Sequence, residues 1–311
     1  MKNNNPLYNR IQKNKKLLKT FLAQNNITCY RIYDWDMPEY PLCIDVYENK
    51  IHCSIYKTRN HLLEDEMKQW QELCVQTMLE SFEICVEDIY IKSRERKKES
   101  GQYEKVNENK EKYEIQENGI HFWVNLSDYV DTGLFLDHRN TRQMVRALSK
   151  GKHVLNLFAY TGSFSVYAAM GGAFTTTTVD LSNTYLNWAK ENFKLNKISL
   201  SKHQFIKTDV KEWIKQTPSK LYDIIVLDPP TVSKSKMSSS KFDVQTDHVE
   251  LINNTLHHLQ IGGILFFSNN FRDFTLEAEK IEASNIENIT HLSIPHDFRN
   301  KKIHACWKII K

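Results

Sequence analysis

No two cysteines in this sequence are spaced Cys-x-x-Cys. The six present, Cys29, Cys43, Cys53, Cys74, Cys85 and Cys306, are scattered. That argues against a zinc site or a disulfide framework and fits reduced thiols in the cytosol. No run approaches the roughly 18 consecutive apolar residues of a membrane span. The opening MKNNNPLYNR lacks the apolar stretch of a secretory signal. Charge of one sign is also scarce as an excess: 42 Lys and Arg against 38 Asp and Glu leave +4. This balance permits a nucleic-acid partner without requiring one. The three-glycine turn G-x-G-x-x-G is missing too, which disfavours a nicotinamide dehydrogenase. At 311 residues, 41% hydrophobic and 26% charged, the composition is that of an ordinary globular protein of about two domains.

The halves differ in rhythm. Leu17, Leu18, Phe21 and Leu22, with Arg10, Lys13, Lys15, Lys16 and Lys19 interleaved, predict a basic amphipathic helix over residues 7–25. Strands are expected at 29–33, 42–47, 51–56 and 88–93, a second long helix over 62–82, a charged loop over 94–112 and a helix over 134–148. From residue 151 onward, strand and helix alternate. Strands at 154–158, 175–179, 203–207, 222–227 and 264–268 are separated by helices at 162–170, 182–195, just after Asp209, and over 244–259, the last stopped by Gly262 and Gly263. A final strand within 301–310 is expected to pair with 290–294. Such alternation implies an α/β sheet with helices on both faces.

In open α/β sheets, ligands bind beyond the carboxyl ends of the strands. The first strand is followed by Asn156-Leu157-Phe158-Ala159-Tyr160-Thr161-Gly162, the second by Asp180 and Leu181, the third by Asp209, the fourth by Asp228-Pro229-Pro230, and the fifth by Ser268-Asn269-Asn270. Thr161 and Gly162 allow close backbone approach, with helix N–H groups facing a ligand. Asp180 lies near the spacing at which an acid binds ribose hydroxyls, and Leu181 could pack on an adenine. Asp209 by itself reads as a helix N-cap. Acceptors at four successive strand ends are better explained by a nucleoside with an amino-acid moiety. Asp-Pro-Pro is the sharpest local feature, because the prolines fix the backbone and remove two donors.

On these residues the sequence resembles class I S-adenosylmethionine methyltransferases: VLNLFAYTG (154–162), TTTVD (176–180) and LDPPT (227–231) are similar to their cofactor and catalytic motifs. LSDYVDTGLFLDHRNTR (126–142), FDVQTDH (242–248), FSNN (267–270), IHACW (303–307), NRIQKNKKLLK (9–19) and CYRIYDWDMPEY (29–40) narrow the resemblance to the RlmK-type guanine-N7 methyltransferase domain of bifunctional 23S ribosomal RNA methyltransferases. The resemblance implies a Rossmann-like methyltransferase domain over 126–311 behind a small mixed α/β subdomain over 1–125, a candidate for RNA binding. It implies S-adenosylmethionine as cofactor and 23S ribosomal RNA or its precursor as partner, with no membrane and no metal. It places Asn156, Phe158, Tyr160 and Gly162 at the methionine end of the cofactor, Asp180 at the ribose, Asp209 at the adenine amino group and Asp228 at the methionine amino group. Asp137 and Arg139 would reach the same pocket. Oligomeric state stays open.

The residues also bear on which base atom is methylated. Pyrimidine C5 chemistry needs a cysteine nucleophile, yet no cysteine lies between Cys85 and Cys306, and Cys306 reads as a small buried residue in a strand. Exocyclic-amine enzymes often place an aromatic after Pro-Pro, where this chain has Thr231. Guanine N7 offers a lone pair with no proton to remove, so positioning would suffice. We accordingly expect Asp228, Pro229 and Pro230 to position the substrate without a general base, no His–acid pair in the site, and His138 and His248 as capping or core histidines. Carbonyls of Pro229 and Thr231, with Asn269 and Asn270, could hydrogen-bond an extruded guanine. Lys234 and Lys236, within a basic stretch 234–241, are the best candidates for RNA phosphates, ahead of 10–19, 94–98 and 299–302.

Overall fold

The computed structural model describes residues 5–56, 64–94, 111–129, 131–233 and 242–311. Most of the expected charged loop, with the basic stretch containing Lys234 and Lys236, lies outside them. The chain divides into two compact units. One comprises Met1–Gly119, Val124–Thr132 and His296–Arg299, the other Ile120–Trp123, Gly133–Pro295 and Asn300–Lys311. No helix among the described residues is long and apolar enough to cross a membrane.

The first unit contains α1 (Pro6–Gln24), β1 (Cys29–Asp34), β2 (Leu42–Tyr47), β3 (Lys50–Tyr56), α2 (Glu64–Phe82), β4 (Ile89–Arg94) and β5 (Tyr113–Glu117). Asn5 starts α1: its side-chain oxygen accepts the N–H groups of Leu7 and Tyr8, and Pro6 occupies the first helical position. Strands run in the order β1-β2-β3-β4, with β3 and β4 parallel across α2. Alternation sorts the side chains. Leu42, Ile44 and Val46 pair with Ile55, Cys53 and Ile51 and share a core with Leu7, Ile11, Leu18 and Met78. The opposite face presents Arg31, Asp45, His52, Ser54, Lys92 and Arg94. Asp45, His52, Ser54 and Lys92 are buried as well, so β2 shows no inside-outside burial pattern.

The second unit follows β6 (Ile120–Val124), at which the chain crosses from one unit to the other, with α3 (Arg139–Leu148), β7 (His153–Leu157), α4 (Ser163–Met170), β8 (Thr175–Asp180), α5 (Asn183–Leu195), β9 (His203–Lys207), α6 (Val210–Ile214), β10 (Tyr222–Leu227), β11 (Val232–Ser233), β12 (Phe242–Asp243), α7 (Val244–His257), β13 (Leu259–Asn269), β14 (Asn285–Asn288), α8 (Thr290–Ser293) and β15 (Ala305–Ile310). Its sheet runs β14-β15-β13-β10-β7-β8-β9. Strands β9 through β13 in that row are parallel, and β15 is antiparallel to both its neighbours. Central strands are apolar on both sides. Ile225 and Leu227 face the layer of α7, through Leu251, Ile252 and Leu256, while Ile224 and Val226 face Val145 of α3 and Phe164 and Ala168 of α4. This is the expected α/β sheet with helices on both faces.

Three local expectations are corrected. Residues 290–294 do not pair with the final strand; β14 does. The Asn288 side chain accepts the Thr290 N–H and turns the chain into a short helix instead. Gly262 and Gly263 do not stop α7, which ends at His257; they lie inside β13, where the register against β10 shifts and Gly262 takes φ 74°. Residues 134–136 do not begin the helix before β7. Arg142 Nη1 donates to the Phe135 carbonyl at 2.9 Å, Phe135 stays extended, and a single 3₁₀ turn, Leu136–His138, precedes α3.

Candidate active site

The strand order reverses at β7, whose neighbours are β8 and β10. At such a point the two following loops diverge and leave a crevice. Register brings the expected residues to one edge of the sheet: Leu157 lies opposite Leu227 and Val179, Asp180 opposite Lys207, and Leu227 opposite Phe267. Phe158, Asp180, Asp209, Asp228 and Ser268 therefore leave the sheet along the same rim.

The loop after β7 is tightly wound. Phe158 and Tyr160 have φ of 52° and 51°, a conformation that costs non-glycine residues energy unless the surroundings enforce it. Asp180 supplies the constraint. Its Oδ2 accepts the Tyr160 N–H at 2.8 Å and its Oδ1 the Ser182 N–H at 2.8 Å. Burial pushes this carboxyl above its ordinary value, against the pull of backbone N–H bonds from Ser182, Tyr160 and Leu181. Gly162 has φ 73°, and a Cβ there would lie 2.6 Å from the Ala189 Cβ, so only glycine fits. Thr161 is anchored from outside the loop, its Oγ1 donating to the Gly133 carbonyl at 2.6 Å. Asn156 is buried within the layer, its Nδ2 donating to Ser165 Oγ at 3.0 Å. Half-buried Phe158 packs against Phe242, with ring centroids 6.2 Å apart. Tyr160 lies between the rings of Phe135 and Tyr185, at 5.3 and 4.6 Å.

Beyond β8, Leu181 is half-buried. Asp209 caps α6, its Oδ1 accepting the Lys211 N–H at 3.0 Å. Beyond β10, Asp228 Oδ1 accepts from Ser268 Oγ at 2.7 Å, and the side chain remains 29% exposed. Pro229 is buried beside it and Pro230 half-buried. Thr231 is more engaged than expected: its carbonyl accepts the Val244 N–H at 3.0 Å, and its hydroxyl donates to Asn270 Oδ1 at 2.5 Å. Asn269 is buried, with Oδ1 accepting from the Phe271 N–H and Nδ2 without a hydrogen-bond partner.

One expectation about the chemistry is overturned: a histidine–acid group does stand at this rim. His138 is buried, and its Nε2 lies 3.6 Å from Asp228 Oδ2 and 3.8 Å from Asp137 Oδ2. Its ring is stacked on His304, with centroids 4.4 Å apart and planes 10° apart, and meets Phe164 edge-on. His304 is fixed in turn, with Nδ1 2.9 Å from Asp137 Oδ2 and Nε2 2.8 Å from Ser293 Oγ. Asp137, His138 and His304 bring donor atoms within 4.8 Å of one another. Parallel stacked rings, however, do not direct two nitrogens at a single ion, so the group is arranged as a hydrogen-bonded stack. Arg139 is buried at the start of α3. The sequence hid this cluster because Asp137 and His304 are 167 positions apart. The available signal was that both histidines sit in the motif-bearing stretches 126–142 and 303–307.

The other sequence expectations concern structural residues. Cys306 is fully buried, and burial, with Asp228 next, pushes its thiol far up, so it makes no thiolate nucleophile. His248 is a core histidine: Nδ1 bonds the Gln245 carbonyl and Nε2 accepts the Glu277 N–H.

Residues 86–310 match the family model of S-adenosylmethionine-dependent methyltransferases. Ribosomal RNA large subunit methyltransferase K of Neisseria meningitidis serogroup B is 45% identical over 98% of this chain and 86% of its own length. Ribosomal RNA large subunit methyltransferase K/L of Syntrophotalea carbinolica is 45% identical over 97% of this chain, which spans 42% of that longer protein. Among solved structures, SMU.776, described as a methyltransferase complexed with SAH, superposes with a TM-score of 0.78 at 26% identity, covering 98% of this chain and 80% of that one. The chain belongs to the S-adenosylmethionine-dependent methyltransferases, in the group of the ribosomal RNA large subunit methyltransferase K proteins.

Proposed function

We propose that this chain transfers the methyl group of S-adenosylmethionine to N7 of a guanine in 23S ribosomal RNA. The observation that supports it most is the alignment of Asp180, Asp209 and Asp228 along one sheet edge, at the point where strand order reverses, in a chain 45% identical to a large-subunit RNA methyltransferase K. Asp180, already holding the loop after β7, would accept the ribose hydroxyls on its remaining lone pairs. Leu181 would pack on the adenine and Asp209 would accept its amino group. Phe158, Tyr160, Thr161 and Gly162 would enclose the methionine end, with Asn156 bracing them from within. Asp228 would accept the ammonium group, with Asp137 and Arg139 behind it.

When bound, the donor supplies an electrophilic methyl. The protein's contribution is to hold a guanine so that N7 faces that methyl along the line of displacement. N7 needs no base, and the buried Cys306 and the hydroxyl-bearing Thr231 give no support to pyrimidine C5 or stacked-amine chemistry. Pro229 and Pro230 would shape the slot for an extruded base. The Asn269 Nδ2, buried without a partner, would donate to an acceptor on the guanine edge, with Thr231 and Asn270 beside it and Lys234 and Lys236 on the phosphates. Positive charge develops on the guanine as it is alkylated, and the carboxylates of Asp228 and Asp137 would favour that charge.

We also propose that residues 1–125 hold RNA while 126–311 perform transfer, in the cytoplasm, where ribosomal RNA is processed. Exposed Lys13, Lys16 and Lys19, three apart on α1, form one stripe suited to a phosphate backbone. The test is methyl transfer from labelled S-adenosylmethionine to bare 23S RNA, followed by nucleoside digestion and mass spectrometry. Ribonuclease-sensitive label in 7-methylguanosine is expected. Label that survives ribonuclease would remove RNA as substrate, and 5-methylcytidine would move the reaction to pyrimidine C5.

A further inference from the structure

His138 is buried, yet nothing in the transfer proposed above uses it. Its surroundings leave it little freedom. One ring face lies on His304, which is itself tied to Asp137 and Ser293, and the edge of Phe164 closes another side. Its Nε2 faces two carboxylates, Asp228 Oδ2 at 3.6 Å and Asp137 Oδ2 at 3.8 Å, while Nδ1 is buried without a hydrogen-bond partner. A neutral ring so placed carries its proton on Nε2, because carboxylates demand a donor and Nδ1 has no hydrogen-bond partner. Asp228 then has Ser268 Oγ bonded to Oδ1, while the imidazole stands 3.6 Å from Oδ2, just beyond bonding distance.

We propose that His138 is a positioning residue for Asp228: the neutral imidazole aims the carboxylate, and the protonated imidazole competes with the bound ligand's ammonium group for it. This rests on the assignment of Asp228 to that ammonium. The charged and titratable groups facing the ring are Asp228 beyond β10 and Asp137 on its own turn, which favour its cation, and His304 before β15 and Arg142 on α3, which oppose it. Burial outweighs them and moves its titration below the ordinary histidine range. The ring is therefore neutral near pH 7 and above, and takes up a proton only as the pH falls below that range. A second cation arriving beside Asp228 and the protonation of His138 then oppose each other reciprocally.

Calorimetric titration with S-adenosylhomocysteine, which retains the amino-acid end but has no methyl to transfer, tests this between pH 8 and pH 5. Wild-type affinity is expected to fall severalfold as the pH drops to 5. His138→Gln keeps a donor and loses the titration, so its affinity should match wild type at pH 8 and stay level. His138→Phe keeps the stack and loses both the donor and the titration, so it should bind more weakly than wild type at pH 8 and stay level as the pH falls. In wild-type protein, the imidazole NMR titration of His138 should move to lower pH when S-adenosylhomocysteine is added, a readout independent of how the variants fold. Wild-type pH dependence in His138→Gln, or an unmoved His138 titration, would overturn the proposal. Asp228→Asn separates the two layers: if it binds S-adenosylhomocysteine as wild type does at pH 8, the assignment of Asp228 fails, whatever His138 does.

Discussion

Each unit contains a buried polar network, and the two are finished differently. In the first unit, Arg31 donates from Nε and Nη2 to both oxygens of Asp45, at 2.7 and 2.9 Å, and from Nη1 to Asp34 at 3.1 Å, and lies over the Phe298 ring. Arg94 bonds Asp131 and Ser54, and Lys92 bonds the Ser127 carbonyl. In the second unit, Asp228 has a hydrogen bond on one oxygen, a histidine just beyond bonding distance of the other, and nearly three times the exposure of Asp45. A carboxylate bonded at both oxygens holds a fold together. One bonded at a single oxygen and left open to a crevice keeps lone pairs free to accept from a ligand. On the assignment proposed for Asp228, the same residue types serve structure in one place and recognition in the other.

The largest effect that sharpens this contrast is expected from Arg31→Ala. It strands Asp45 and Asp34 without their cation in a buried setting, where removing one partner costs about 3–5 kcal/mol. Urea denaturation reads the loss, and a change below about 1 kcal/mol would erase the distinction. Asp228→Asn should do the reverse, lowering methyl transfer by on the order of 100-fold while unfolding free energy moves by less than about 1 kcal/mol. His52 tests the first network through pH. Burial first, then Arg94, Lys92 and Arg31, push its imidazole down to about 3, so the folded state resists protonation that the unfolded chain accepts. Stability is complete above the ordinary histidine range and is lost as pH falls, by about 2 kcal/mol between pH 7.5 and pH 5. His52→Phe should flatten that slope. The smallest effect belongs to Cys306→Ser, which should leave methyl transfer at the wild-type rate and cost about 1 kcal/mol of stability.

The second unit was legible in the sequence because each parallel strand is a short run rich in apolar or β-branched residues followed by a polar break, and parallel strands align those breaks on one edge. Asp180, Asp209 and Asp228 could be read from their place after a strand. Partners could not, since they depend on contacts between distant segments: Ser268 with Asp228, Asn270 with Thr231, His304 with Asp137. His138 looked like a core histidine, and it is buried, but burial beside a carboxylate is invisible to spacing. Residues 290–294 misled because β-branched and aliphatic side chains suit a strand, while the Asn288 side chain turns the chain one step earlier. The polar face of the first sheet was missed for the opposite reason. Its charged residues alternate with core positions as exposed ones would, and only their mutual pairing allows burial.

The most direct measurement is a crystal structure with S-adenosylhomocysteine bound. The expected result places the ribose hydroxyls on Asp180 and the ammonium group on Asp228, inside the crevice between the loops after β7 and β10. A nucleoside seated elsewhere, with Asp180 and Asp228 making no contact to it, would contradict the assignment of the site.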